Sequence, residues 1–346
     1  MEAICNSKCD RCIFIERCGG CSMCEGAICN EICNSCDALC TRRGSSVPYL
    51  ISILRQEVAL EPNFQHNLSY HIPVLPDRLN FEVRKNLLKT IGIKGNNFLS
   101  RDGTKIRNMY SKNGFKEALN LNGNVKGILQ FYVEDRILEC VWDNRTNLYQ
   151  ELRRQKLEAV ITPNFSVYED APRMDHIYNI QRSLIIYNEM RAAGIRAIPD
   201  VSWYGIEDLD LWVKMINNSD IKTLAFSFQV VDVRLKASND CKNYLAGFRY
   251  LCSQISKKID FIIIGASSAK KSIEIRKAAG KNIKLFFLNN AAYIQSQRGM
   301  YSADRSRDLG SSRGKLFEKN IVYFNKLYRK INENEVNLCQ KVEEMV

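Results

Sequence analysis

Histidine is scarce: the chain has three in 346 residues, His66, His71 and His176. No two of them lie at a metal-ligand spacing, and no Ser–His–Asp or Cys–His nucleophile arrangement can be read around them. His176 falls in the first turn of a predicted helix beside Asp175, where a structural role is expected. Long apolar runs are also lacking. The most apolar stretch, around Phe261 to Ile264, is far short of the roughly 18 residues a membrane helix needs. The first residues show no basic flank followed by an apolar segment, so no export signal is expected and the expected compartment is the reducing cytoplasm. No G-x-G-x-x-G follows any predicted strand, which argues against a dinucleotide-binding doubly wound sheet. Acidic residues are outnumbered, 38 Asp and Glu against 50 Lys and Arg, for a formal charge of +12. Disorder as the main state is excluded by 15 Phe, 15 Tyr and 3 Trp, which supply ample apolar area to bury.

Cysteine is present in excess. Ten of the fourteen form a ladder, Cys5, Cys9, Cys12, Cys18, Cys21, Cys24, Cys29, Cys33, Cys36 and Cys40. Ile4 to Cys12 and Ile28 to Cys36 both read C-x3-C-x2-C, an internal echo. In a reducing compartment such spacing points to a metal held by converging thiolates rather than to disulfides. The run from Cys18 through Cys21 and Cys24 to Cys29 approaches a ferredoxin spacing, and the segment contains no His, so one or more [4Fe-4S] clusters are favoured over zinc. Cys140, Cys241, Cys252 and Cys339 read as ordinary element cysteines. C-x3-C-x2-C is also the spacing of radical S-adenosylmethionine enzymes, which keeps an iron–sulfur redox or radical enzyme as an alternative. Against it, neither copy follows a strand, and Arg11 or Ser35 precedes the third Cys where those enzymes carry an aromatic.

The charge lies elsewhere. Residues 1–44 carry a net −1, whereas 81–130 hold ten basic and three acidic residues. Four regions are expected: a Cys-rich metal module over 1–46, a basic region over 47–125, a βα-repeat core over 126–300, and a basic loop with a C-terminal helix over 301–346. Arg42 to Pro48 reads as the linker behind the module. Within 81–130 one helix, Phe81 to Thr90, is expected, with exposed hairpins around it. From about residue 126, short apolar runs alternate with helical patterns. Strands are predicted at 128–133, 158–162, 196–199, 223–228, 261–264 and 284–288, with a first candidate at 72–75. Helices are predicted at 144–156, 175–193, 206–217, 243–257 and 269–279, with a long one from Gly314. Seven βα-type strands argue for a parallel sheet closing as a TIM-like barrel with one strand of eight unaccounted for.

In a barrel, chemistry collects where strands end. Asp135 and Asp200, on neighbouring strand ends, suit nucleophile and acid–base work at a sugar carbon. Asn164, Ser166, Tyr168, Trp203, Gln229 and Asn289 suit hydrogen bonding and stacking on a nucleobase, with Ser202 and Ser227 on the same rim. The competing structural reading of each Asp is a helix cap or loop anchor. Gly265, Ser267, Ser268 and Lys270 form a small-residue turn before a helix, the pattern of a phosphate cradle. Arg298, Arg305, Arg307 and Arg313 surround Tyr301 in a Gly/Ser-rich stretch, as in a nucleic-acid-contacting loop; a solvated basic loop is the bland equivalent.

Four motifs carry a resemblance: Phe131-Tyr132-Val133-Glu134-Asp135; Val141-Trp142; Pro163-Asn164-Phe165-Ser166-Val167-Tyr168; and Ile198-Pro199-Asp200-Val201-Ser202-Trp203. In this order they are similar to a domain family of unknown function found in bacterial and phage genomes, over roughly 125–265. The resemblance implies a phage or mobile-element context and no assigned activity. In architecture alone the chain also resembles tRNA-guanine transglycosylases and their DNA-modifying relatives, barrels that exchange or excise bases with strand-end aspartates; their motifs and C-terminal zinc site are absent. The reading favoured at this level is a nucleic-acid-acting barrel enzyme of glycosylase or transglycosylase type, with DNA or RNA as partner and no membrane. A non-catalytic, metal-stapled nucleic-acid-binding protein is the third alternative.

Overall fold

A computed structural model of the chain describes residues 47–63, 67–121, 123–168, 171, 173–229, 240–308 and 310–333. The ten-cysteine ladder, His66 and Cys339 lie outside the described residues. Eight strands alternate with helices. They are β1 (His71–Pro73), β2 (Thr90–Lys94), β3 (Lys126–Gln130), β4 (Ala159–Ile161), β5 (Ala197–Ile198), β6 (Thr223–Ser227), β7 (Ile259–Ile264) and β8 (Ile283–Asn289). The helices are α1 (Val47–Leu54), α2 (Gly95–Phe98), α3 (Asn108–Ala118), α4 (Asp135–Arg154), α5 (Arg173–Ala192), α6 (Ile206–Asn217), α7 (Asp240–Gln254), α8 (Ala269–Ala279), α9 (Ala291–Gln297) and α10 (Arg313–Asn332).

All strand pairs are parallel and fall into two four-stranded sheets, in the orders β2-β3-β4-β5 and β1-β8-β7-β6. Single parallel bridges join them, Val74 with Gly92 and Asp200 with Ala225. Backbone hydrogen bonds accompany each: Leu75 N donates to Gly92 O at 3.1 Å, and Val201 N to Ala225 O at 3.0 Å. At the first seam the chains run so close that a Cβ on Gly92 would lie 2.8 Å from Val74 Cγ2, so only glycine fits there.

Strand side chains alternate between two separate apolar clusters. One contains only strand residues, among them Ile72, Ile128, Ile161, Ile198, Ala225, Ile262 and Phe286. The other joins the intervening strand positions, such as Ile93, Leu129, Val160, Phe226, Phe261 and Phe287, to the helices. A strand that must bury both faces reads as a continuous apolar run, which is why Phe261-Ile262-Ile263-Ile264 shows no polar alternation. Each of these side chains, fully buried, contributes about 1.5–3 kcal/mol.

Helix α5 is buried around most of its circumference, because the chain from α1 to Asn63 straps its outer side. Asn188 exchanges hydrogen bonds with both backbone groups of Ala59, Gln181 donates to Gln56 O, and Tyr187 donates to Glu61 O.

Several expectations are corrected. Residues 81–89 form turns and irregular chain rather than a helix, because Asn86 takes a left-handed φ of 67° that a helix cannot continue. The segment then enters β2, so the eighth strand is found where it was unforeseen. Helix α3 occupies part of the stretch expected as hairpins. Helix α4 begins nine residues before its expected start, which places Asp135 in a helical first turn rather than at a strand end. Among the described residues no helix is long and apolar enough to cross a membrane.

Candidate functional site

Asp200 ends β5 on the face of the strand-only cluster, since it bridges Ala225 and lies two residues beyond Ile198. It is 1% exposed. Its Oδ2 accepts hydrogen bonds from the Tyr132 hydroxyl and from Asn164 Nδ2 at 3.1 Å. Its backbone N–H donates to Thr162 Oγ1 at 3.2 Å. The Ser227 side chain at the end of β6 opposes the upward shift of the Tyr132 phenol. Polar groups following β3, β4 and β6 therefore gather near a carboxyl that follows β5. Its Oδ1 is buried without a hydrogen-bond partner, as are Gln130 Oε1 at the end of β3 and Ser202 Oγ two residues further along the chain.

Burial dominates the electrostatics. It pushes the Asp200 pKa up to about 7, against the opposing hydrogen bonds of Tyr132 and Asn164. Burial and the adjacent Asp200 charge raise the Tyr132 phenol well above its ordinary value, so Tyr132 stays a donor at any physiological pH. A carboxyl that titrates near neutrality can both give and take a proton, as general acid–base chemistry requires.

Asp135 lies at the same end of the molecule with a different environment. It is half-buried in the first turn of α4, where the helix dipole favours an anion. Ser166 Oγ donates to its Oδ1 at 2.6 Å, and the Tyr168 hydroxyl donates to its Oδ2. The loop after β4 thus holds both carboxylates, Asp200 through Asn164 and Asp135 through Ser166 and Tyr168. Its own anchor is Arg182, nearly buried on α5. The guanidinium lies 3.8 Å from the centre of the Phe165 ring and 4.4 Å from that of Tyr178, and pairs with Glu139 at 2.6 and 2.8 Å. Asn179 Nδ2 donates to Ser166 O at 2.8 Å, and His176 Nε2 lies 2.6 Å from Tyr168 O. Burial lowers the His176 pKa, so this contact is made by a neutral ring. Arg173 and Asp208 form a buried bidentate pair at 2.5 and 2.8 Å, fixing the starts of α5 and α6 on either side.

The remaining predicted residues are dispersed. Trp203 packs on Tyr244 and Phe226 with ring centres 5.2 and 6.5 Å away, over Gly247, whose missing side chain makes room for the indole. Gln229 is exposed; its backbone abuts Gly265, where a Cβ would meet Gln229 Cα at 2.6 Å. Asn289 is buried and fully engaged: it donates to Ala266 O and Tyr328, and its Oδ1 meets His71 Nε2 and Ala291 N. Ser268 caps α8 by accepting from Lys271 N at 3.2 Å, while Ser267 and Lys270 are exposed beside it. Arg298 is exposed at the end of α9, and Arg305 and Arg307 are exposed on a hairpin closed by the Met300–Arg307 bridge. Arg313 folds back to donate to Ser296 O at 3.3 Å.

Residues that sequence reasoning passed over are Tyr132, Gln130 and Lys94. An aromatic or a glutamine ending an apolar strand carries no pattern that separates a site from a core. Period-two counting from Ile128 is the one signal that puts Gln130 and Tyr132 on the Asp200 face. No cluster of three or more metal-ligating side chains occurs among the described residues.

Residues 103–277 match the family described as a domain of unknown function, DUF4417, and the expected family resemblance over 125–265 falls inside that span. Two phage proteins are similar over 77 residues, or 22% of this chain. The "Gene 1 protein" of Mycobacterium phage D29 is 32% identical over 28% of its length, and that of Mycobacterium phage L5 is 27% identical over 33% of its length. The chain thus spans about a third or less of these relatives. Asp135, the Asn164–Tyr168 loop and Asp200 all lie in the matched half, and on that match the chain belongs to the DUF4417 family.

Proposed function

We propose that this chain is a nucleic-acid-acting enzyme on a closed eight-stranded βα barrel, and that it excises or exchanges a base at a glycosidic carbon. The observation that carries the reading is Asp200: a buried carboxyl tuned near neutrality, hydrogen-bonded by Tyr132 after β3 and Asn164 after β4. Protonated, Asp200 gives its proton to the departing base while the C–N bond breaks. Asp135, held by the Ser166 and Tyr168 hydroxyls, faces the positive charge that develops on the sugar, and water or an incoming base completes the exchange. Bridges at both seams support closure of the two sheets into one ring, with the active face at the strand C-termini. The exposed Lys270, Arg298, Arg305 and Arg307 flank that face and suit a phosphate backbone. The phage relatives support a mobile-element setting.

The ten N-terminal cysteines supply an all-sulfur donor set without His, which fits iron–sulfur clusters better than zinc. In this reading the module grips or positions nucleic acid beside the barrel.

The test uses full-length protein purified without oxygen. Metal analysis and a visible spectrum identify the cluster, and DNA and RNA oligonucleotides are assayed for salt-dependent binding and released base. Base release that falls at least about 100-fold in Asp200→Asn supports the reading. Salt-dependent binding with no Asp200-dependent release turns it into a binding protein. An iron-loaded protein with no nucleic-acid affinity that consumes S-adenosylmethionine or electrons makes it the redox alternative.

A further inference from the structure

The polar face around Asp200 extends beyond the carboxyl to a pair the proposed chemistry leaves unused. Lys94 ends β2 and is in register with Gln130, which ends β3. Gly92, two residues before Lys94, faces Val74 and Leu288 of the strand-only cluster, and Ile128, two before Gln130, belongs to that cluster. By the period of two, Lys94 and Gln130 leave the sheet on the same face as Asp200, on strands about 4.8 Å apart. Gln130 is 3% exposed and its Oε1 is buried without a hydrogen-bond partner. Lys94 is half-exposed and makes no ion pair among the described residues. A buried acceptor left open beside a cation is costly unless a ligand completes it.

We infer that Lys94 and Gln130 form a ligand-binding pair on the active face, Lys94 taking an anionic phosphate oxygen and Gln130 accepting from an N–H or O–H donor of the same ligand, a nucleotide. The nucleotide assignment rests on the proposed nucleic-acid chemistry; the anion–donor pairing rests on the strand register alone. The ammonium is a point charge that suits a phosphate oxygen, and a carboxamide discriminates base edges by their donors.

Calorimetric titration of the full chain with inorganic phosphate and with the nucleoside 5′-monophosphates tests the pair. The expected result is saturable binding of at least one monophosphate, weakened at least tenfold in Lys94→Met and less than threefold in Lys94→Arg. Gln130→Ala weakens the monophosphate at least fivefold and phosphate less than twofold. Gln130→Glu, which sets a carboxylate beside Lys94, weakens both and serves if Lys94→Met does not fold. Lys94→Met binding as wild type does, or no saturation of wild type by any of these probes, overturns the pair. Asp200→Asn separates the two proposals. If the Lys94 dependence holds while no base release is ever seen, the pair stands and the glycosidic chemistry falls. If base release depends on Asp200 but Lys94→Met binds and turns over normally, the pair alone falls.

Discussion

The two parallel sheets share a strand direction and a buried apolar face, yet their C-terminal ends are furnished differently. The sheet β2-β3-β4-β5 ends in a buried Gln130 and a buried Asp200 hydrogen-bonded by the half-buried Tyr132 and Asn164, with Asp135 tied to the same loop. The sheet β1-β8-β7-β6 ends in a glycine–serine turn, an engaged Asn289 and exposed Lys270, Arg298, Arg305 and Arg307. Buried polar groups cost free energy unless they are hydrogen-bonded, whereas exposed cations cost little and act at longer range. The proposed base chemistry therefore draws on the first sheet's end, and the proposed nucleic-acid contact on the exposed cations of the second.

The largest expected effect breaks the first half. The Asp200 carboxyl binds its proton more tightly folded than unfolded, so its contribution is complete below the ordinary carboxylate pKa near 4. That contribution is lost as the pH rises through about 7. Asp200→Asn removes the ionisation while keeping the shape. Denaturant unfolding at about pH 3.5, below the ordinary carboxylate pKa, should give nearly equal stabilities for the two proteins. At pH 8 the variant should be the more stable, by up to about 4 kcal/mol. Equal pH profiles in the two proteins would mean that water reaches the carboxyl and that the first half is not the low-dielectric site described above.

That asymmetry was only partly readable in advance, and the reason differs by element. Strands β3 to β8 are short apolar runs bounded by turn residues, and burial on both faces makes such runs conspicuous. Strand β2 is not, because Gly92 interrupts Thr90-Ile91-Gly92-Ile93-Lys94 and weakens the local strand signal. The glycine is required by the seam with Val74, a partner 18 positions earlier that no local window contains. The early start of α4 has a similar origin: Asp135 to Asn144 reads as polar loop until Ile137, Leu138, Val141 and Trp142 are seen to bury one face. Asp200 was legible because an acidic residue ending an apolar strand stands out. Tyr132 was not, since its ring belongs to the core and only its hydroxyl to the site.

A smaller effect is expected in the second half, where backbone geometry rather than charge is at stake. Gly265 follows β7 with φ +83°, and a Cβ there would lie 2.6 Å from Gln229 Cα and 2.7 Å from Gln229 N. Gly265→Ala should destabilise the fold by about 2–3 kcal/mol through left-handed strain plus displacement of the chain after β6. Urea denaturation measures the loss, and Gly280→Ala supplies a control. Gly280 also has a positive φ, at +70°, but a Cβ there meets nothing within 4 Å, so its cost should be the strain alone, about 1 kcal/mol. Equal costs at the two positions would show that the close approach after β6 is not maintained in solution.

The smallest effect on stability, and the sharpest separation of the halves, comes from the arginine hairpin. Arg305 and Arg307 are exposed, so replacing either with Ala should change stability by less than about 0.5 kcal/mol. Arg305 has φ 56°, so Arg305→Gly is the cleaner variant there and Arg307→Ala at the other position. Each charge that neutralises a phosphate releases counterions, and its removal should reduce the slope of log affinity against log salt by about 1. Titrations of labelled single-stranded oligonucleotide between 50 and 200 mM salt, conditions over which such slopes are resolved, read that change. The same measurement on Asp200→Asn should leave the slope untouched, because a buried carboxyl takes no part in the backbone electrostatics. A slope that responds to Asp200 and not to Arg305 or Arg307 would reverse the assignment of the two halves, moving the polyanion from the hairpin rim to the sheet that ends in Asp200.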